Sequence, residues 1–91
     1  MTKREQVEAK LASLMIEIRS EVARAEENWP PMNSAHEAYA ILLEEVDELK
    51  AHVWTNQKRR DLPAMRKEAI QVAAMAIRFV RDVCDEQGGT K

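Results

Sequence analysis

Apolar residues recur every three or four positions along most of the chain, which is the period of an amphipathic helix. In the N-terminal third they form one stripe: Val7, Leu11, Leu14, Ile18, Val22 and Ala25. Thr2 and Glu5 match a capping box at the start of this stripe. Two prolines follow Trp29, and they end a helix because proline lacks a backbone N–H and restricts the residue before it. The pattern predicts a first helix over residues 2–27.

The second apolar stripe begins after the prolines. Ser34 and Glu37 again match a capping box, although Asn33 is an alternative cap. The apolar positions that follow are Ala38, Leu42, Val46, Leu49 and Val53. They predict a second helix over residues 34–54.

A polar and basic connector separates the second stripe from the third. Asp61 is a favourable N-cap, and Pro63 suits the first turn of a helix. Gly88 and Gly89 favour a helix end. We therefore predict a third helix over residues 62–87 and a tail over 88–91. The whole chain reads as a single all-α domain, an antiparallel bundle of three helices.

Composition narrows the class of protein. The 91 residues include two glycines and 4% aromatic residues, which disfavours an all-β fold. A net charge of −2 lacks the basic excess of most small nucleic-acid binders, so we expect no nucleic-acid partner. The longest apolar run, 72–77, is too short to cross a bilayer, and the single cysteine fits a reducing compartment. We expect a cytoplasmic protein without a membrane partner, which dimerises or forms a higher homo-oligomer because a chain this short buries a modest fraction of its surface.

Three carboxylates lie on one flank of the second helix. At about 100° per residue, Glu44, Glu45 and Glu48 fall within about 100° of one another, next to the apolar stripe. Like charges four residues apart destabilise a helix, and no lysine or arginine lies four residues beyond any of them. A bound cation would explain the arrangement, and a solvated acidic face is the alternative.

Glu68 lies inside the apolar stripe of the third helix. Met65, Val72, Phe79 and Val83 fall within about 60° of it. Glutamate is almost never fully buried unless it is paired. In a bundle Glu68 can face the carboxylates of the second helix, and four such groups would make a site for a hard cation, Mg²⁺ or Mn²⁺. A rim position, or an ion pair with Arg or Lys of another helix, is the alternative.

These acidic residues carry a family resemblance. Glu44-Glu45-x-x-Glu48, 19 intervening residues and Glu68-x-x-Gln71 resemble the EExxE…ExxD signature of the MazG-like all-α nucleoside triphosphate pyrophosphohydrolases. The residues before the first motif and after the second strengthen the likeness, which covers residues 29–82. One position departs from the family. Gln71 stands where the family has Asp, and its neutral carbonyl oxygen is a weaker metal ligand.

The resemblance implies an enzyme that splits a (deoxy)nucleoside triphosphate into a monophosphate and pyrophosphate. It implies that Glu44, Glu45, Glu48 and Glu68 hold Mg²⁺, with Mn²⁺ as an alternative and Gln71 as a weak ligand. The ions would neutralise phosphate charge and lower the pKa of a water molecule, and Glu45 or Glu48 would be catalytic. The alternatives are a catalytically weak or inactive helical module that binds nucleotides or a protein, and a small DNA-binding protein.

Nucleotide contacts are expected from two other places. His36 and Tyr39, near the entry to the second helix, could stack on or bond to a base, although Tyr39 also suits a core position. Lys58, Arg59 and Arg60 in the connector could meet phosphates. A basic loop after a helix C-terminus also suits the helix dipole, so this cluster has a structural alternative.

Overall fold

The computed structural model describes residues 1–86, and all their regular structure is helical. The helices are α1 (Lys3–Asn28), α2 (Ala35–Val53) and α3 (Leu62–Phe79). A 3₁₀ turn, Gln57–Arg59, lies in the connector, and a π-helical segment, Val80–Asp85, continues α3. The predicted all-α class is confirmed, and the helix boundaries agree closely except at the end of α3. Within these residues, no helix combines the length and apolar character needed to cross a bilayer.

The predicted caps begin all three α-helices. Their side-chain oxygens accept backbone hydrogen bonds that a helix start leaves without a partner: Thr2 from Glu5 N–H, Ser34 from Glu37 N–H and Asp61 from Ala64 N–H, each at 3.1 Å. Glu5 also accepts a hydrogen bond from Thr2 N–H at 3.2 Å, which completes the first capping box. The helix starts are therefore fixed locally by sequence.

The end of α3 differs from the prediction. The α-helix stops at Phe79 and widens into the π-helical segment, where Glu86 N–H donates to the Arg81 carbonyl five residues back. In this segment Asp82 accepts a hydrogen bond from Met32 N–H at 3.1 Å, so the loop after α1 is tied to it. The predicted end at Gly88 and Gly89 and the tail over 88–91 lie outside the described residues.

Helix α3 is the central element, and α1 and α2 pack mainly against it rather than against each other. Arg66 donates to Glu17 at 2.7 Å, and Arg81 pairs with Glu26, so α1 and α3 run in the same direction. The connector between α2 and α3 reverses the direction of the chain, so α2 runs antiparallel to both α1 and α3. This is the up-down-up order of the predicted bundle in a more open arrangement.

The core lies at the end where α1 and α3 finish. Its buried apolar residues are Ala25, Met32, Ala38, Ala74 and Met75. Three of these are alanines, which let the helix backbones approach closely. Arg78 is buried beside them and donates to the Pro30 carbonyl at 2.8 Å. The packed end therefore fixes the proline loop and the first turns of α2.

The apolar stripe that predicted α1 is only partly covered by the rest of the described chain. Val22 and Ala25 pack in the core, whereas Val7 and Leu11 are 57% and 54% exposed. The reason is geometric. Glu17 pairs with Arg66 in the second turn of α3, so the residues of α1 before about position 13 lie beyond the first residue of α3.

Candidate metal centre and adjoining cleft

Three of the predicted carboxylates meet between α2 and α3. Glu45, Glu48 and Glu68 each offer an oxygen atom, and these atoms lie within 4.8 Å of one another. Glu45 and Glu48 are one turn apart on α2, and α3 presents Glu68 to them. Glu45 and Glu68 are half-buried and Glu48 is exposed. The position of Glu68 in an apolar stripe therefore predicted its placement correctly.

The electrostatics of this acidic cluster are unfavourable without a cation. Burial, and then the negative charges of Glu48 and Glu68, raise the pKa of Glu45 to about 7. Burial and a hydrogen bond with Glu48 raise the pKa of Glu68, while the charges of His52 and Lys67 act in the opposite sense. Among the ion pairs of residues 1–86, none involves Glu45, Glu48 or Glu68. Three carboxylate oxygen donors that make no ion pair among the described residues suit Mg²⁺ or Mn²⁺ chemically.

Gln71 lies against the acidic cluster, but with its amide nitrogen rather than its oxygen. In the orientation that satisfies its surroundings, this nitrogen donates to Glu45 Oε2 at 3.0 Å and to Glu68 Oε2 at 2.9 Å. The amide thus holds two carboxylates together without adding negative charge. The predicted ligation through the carbonyl oxygen requires this side chain to turn.

Glu44 lies outside the group of three, although it was predicted to be a metal ligand with them. It lines an adjoining cleft of about 310 Å³, as do Glu45 and Gln71. Of the cluster, Glu45 alone is among the residues described as lining this cleft. The cleft is walled on its apolar side by Trp29, Ile41 and Met75. The geometry therefore places a space with both apolar and acidic walls directly beside the cluster.

Sequence reasoning missed the contribution of α1 to this cleft. Glu21 and Arg24 both line it, and Arg24 donates from Nε to Glu21 Oε1 at 3.1 Å. This hydrogen bond lowers the pKa of Glu21. A signal was present, because Glu21 lies within about 60° of Ile18 and Ala25 on the helix, beside its apolar stripe. The same signal identified Glu68.

The predicted nucleotide-binding residues do not line the cleft as the structure describes it. His36 and Tyr39 are exposed on α2, and Lys58 and Arg59 are exposed in the connector. Arg60 is half-buried and donates to the Val53 carbonyl at 2.7 Å. This contact gives Arg60 a structural role at the end of α2.

Comparisons with protein-family models, with curated proteins and with solved structures found no match to this chain.

Proposed function

We propose that this protein is a divalent-metal-dependent nucleoside triphosphate pyrophosphohydrolase. The observation that carries the proposal is the acidic cluster of Glu45, Glu48 and Glu68. It joins two helices, has no basic partner among the described ion pairs, and adjoins a cleft. Keeping like charges together raises the free energy of the folded protein, and a divalent cation would offset this. We propose pyrophosphate release as the reaction because the two motifs resemble the MazG-like signature.

Glu45, Glu48 and Glu68 would hold Mg²⁺ or Mn²⁺ in this proposal. When bound, the ion would neutralise phosphate charge and acidify a water molecule. Glu45 belongs to both the cluster and the cleft wall, so we assign it the proton-accepting role. Oxygen from water would bond to phosphorus, the bond to the bridging oxygen would break, and pyrophosphate would leave. Glu45 would take the proton of the water.

The cleft supports a nucleotide rather than a simple phosphate. Trp29, Ile41 and Met75 provide an apolar wall on which a base can stack, at a short distance from the carboxylates. Arg24 is the cation best placed to meet phosphate oxygens, because its side chain is half-exposed and held only by Glu21 among the described contacts. Arg78 is buried and bonded to the Pro30 carbonyl, so we assign it to the framework of the cleft.

Gln71 favours the second candidate, a helical module that binds nucleotides without turnover. Its amide holds Glu45 and Glu68 by hydrogen bonds, in the position where the resembled family has a carboxylate. A neutral residue there lowers the negative charge available to a cation. A weak or absent activity with retained nucleotide binding is the outcome that this candidate predicts.

The test is pyrophosphate release from a panel of ribonucleoside and deoxyribonucleoside triphosphates, with Mg²⁺ or Mn²⁺. We expect release that requires the metal and falls at least about 100-fold in Glu68→Gln. Asp47→Asn is the matched control, because Asp47 is an exposed acid of α2 outside the cluster. If folded wild-type protein binds nucleotides but releases no pyrophosphate, the proposed hydrolase activity is contradicted and the nucleotide-binding module is favoured.

A further inference from the structure

Glu37 lines the cleft, and no described contact holds its carboxylate. It is the third residue of α2, where the Ser34 oxygen accepts a hydrogen bond from Glu37 N–H at 3.1 Å. In the same position of α1, Glu5 turns back and accepts a hydrogen bond from Thr2 N–H at 3.2 Å. Among the described contacts, the Glu37 carboxylate makes neither this bond nor an ion pair, and the residue lines the cleft instead. Its carboxylate is therefore available to a ligand.

The order of the lining residues gives the cleft two different ends. Those of α1 with its C-cap, and those of α2, follow one another about one turn apart on two antiparallel helices: Glu21, Ala25 and Trp29 on the first, and Glu45, Ile41 and Glu37 on the second. Burial and then neighbouring charges, that of Glu21 included, raise the pKa of Glu45, so Glu21 and Glu45 lie together at the end beside the acidic cluster. Trp29 and Glu37 belong to the other end. The helical rise sets Glu37 about 12 Å from Glu45, which is the scale of a nucleotide from its α-phosphate to the outer edge of its base.

This order places the parts of a bound nucleotide. With its phosphates at the acidic cluster, the nucleotide has its base beside Trp29 and Ile41. The Trp29 side chain is 63% exposed, so its ring is available for stacking. The outer edge of the base then meets Glu37. Because an ionised carboxylate has hydrogen-bond acceptors only, that edge has to supply the donors.

Guanine is the common base whose edge matches a carboxylate. Its N1–H and its 2-amino group are adjacent donors, and together they pair with both carboxylate oxygens, as the guanidinium of arginine does. Adenine and cytosine have a ring-nitrogen acceptor beside the amino group, and uracil and thymine have a carbonyl on each side of one N–H. These acceptors would face the acceptors of Glu37. We propose, as an extension of the proposed function, that Glu37 selects guanine and that the substrate is a guanine ribonucleoside or deoxyribonucleoside triphosphate.

Guanosine and inosine triphosphates together test this assignment, because hypoxanthine differs from guanine only in lacking the 2-amino group. For the wild type we expect kcat/KM for pyrophosphate release to be at least about ten-fold higher with GTP than with ITP. In Glu37→Gln the two values should lie within about three-fold of each other, because an amide offers one acceptor and one donor and matches the O6 and N1–H of either base. Asp47→Asn is the matched control. Asp47 is an exposed acid of α2 that is not among the residues described as lining the cleft, so this variant should keep the wild-type ratio.

Three results would overturn the selection of guanine by Glu37. They are equal use of GTP and ITP by the wild type, a wild-type preference for another base, or a preference for GTP over ITP that persists in Glu37→Gln. In each of these results pyrophosphate is released, so the proposed hydrolase activity stands.

If no nucleotide releases pyrophosphate, the proposed reaction is contradicted, and binding tests Glu37 without it. Calorimetry with GMP and IMP in the presence of a chelator requires neither metal nor turnover. The wild type should bind GMP at least about ten-fold more tightly than IMP, and Glu37→Gln should not distinguish them. Equal binding of the two by the wild type, or no binding of either, would overturn the role of Glu37.

Discussion

Two of the places where charged side chains leave the solvent are built in opposite ways. At the packed end, Arg78 and Asp82 are 2% and 3% exposed, and each has partners of opposite or neutral charge. In the acidic cluster, Glu45 and Glu68 are half-buried beside Glu48, and all three carry the same charge. The first arrangement holds the fold together, whereas the second concentrates like charges, which a bound cation would offset.

The titration of the two sites shows this difference. Burial favours a raised pKa for Asp82, but hydrogen bonds from Arg81 and from Met32 N–H lower its pKa overall. Burial also raises the pKa of Glu45, and here the neighbouring carboxylates raise it further. Asp82 is paired with the cation Arg81, whereas the Gln71 amide that donates to Glu45 and Glu68 is neutral.

The largest effect on stability is expected at the packed end. Asp82→Ala removes the acceptor of Met32 N–H and a partner of Arg81, and should lower the free energy of unfolding by about 3 kcal/mol. Chemical denaturation followed by circular dichroism measures this. Asp85→Ala is the control, since Asp85 is exposed in the same π-helical segment, and it should change stability by less than about 0.5 kcal/mol. If Asp82→Ala and Asp85→Ala lowered the free energy of unfolding equally, the contacts of Asp82 would not be what stabilises the packed end.

Added metal should have the next largest effect. At ten times its dissociation constant, Mn²⁺ should raise the free energy of unfolding by about 1.4 kcal/mol, because it binds the folded cluster and not the unfolded chain. The same denaturation curves, recorded with and without Mn²⁺, measure the gain. In Glu68→Gln, most of this increase in the free energy of unfolding should be lost. If Mn²⁺ stabilised that variant as much as the wild type, the ion would bind at a site other than the acidic cluster.

Neutralising one carboxylate should stabilise the metal-free protein. The folded-state pKa of Glu45, about 7, exceeds its ordinary value of 4.5. The folded state therefore binds the proton more tightly, and this contribution is complete below pH 4.5 and lost as the pH rises through 7. Glu45→Gln does not ionise, so it should be more stable than the wild type by about 1 kcal/mol at pH 8, after allowance for solvent screening.

The same pair of proteins should show no such gain at pH 4, where both carry a neutral side chain. Denaturation at the two pH values in the presence of a chelator makes the comparison. A Glu45→Gln variant less stable than the wild type at pH 8 would contradict repulsion within the cluster.

The smallest effect is expected at Gln71. Gln71→Asp adds a charge beside Glu45 and Glu68 and removes two hydrogen bonds, so the metal-free protein should lose about 0.5–1 kcal/mol of stability. The affinity for Mn²⁺ should rise. Gln71→Asn shortens the side chain without adding charge and serves as the control. If both variants bind Mn²⁺ equally, the charge at this position does not set metal affinity.

The sequence predicted the parts of this molecule that depend on local chemistry. The caps at Thr2, Ser34 and Asp61 follow from oxygen-bearing side chains placed before apolar periodic segments, and the structure confirms them. The meeting of Glu45, Glu48 and Glu68 followed from angular positions on two helices that had to pack together. The features that the sequence did not predict depend on which parts of each helix lie against a neighbouring helix.

Helical periodicity shows on which face of a helix a side chain lies, but it does not show whether another helix buries that side chain. It placed Val7 in the same stripe as Ala25, although only the latter faces α3. It could not show that Glu44 turns to the cleft, or that Arg24 of α1 reaches the same space. It predicted nucleotide contacts at Lys58 and Arg59 from charge alone, and the folded connector leaves both exposed away from the lining of the cleft.

Titration calorimetry with Mn²⁺ tests the central claim most directly, because it measures binding to the acidic cluster without requiring turnover. We expect saturable binding to the wild type, affinity at least about ten-fold lower in Glu68→Gln, and unchanged affinity in Asp47→Asn. Absence of binding at millimolar Mn²⁺, or equal affinity in the wild type and Glu68→Gln, would contradict the assignment of Glu45, Glu48 and Glu68 as a metal centre.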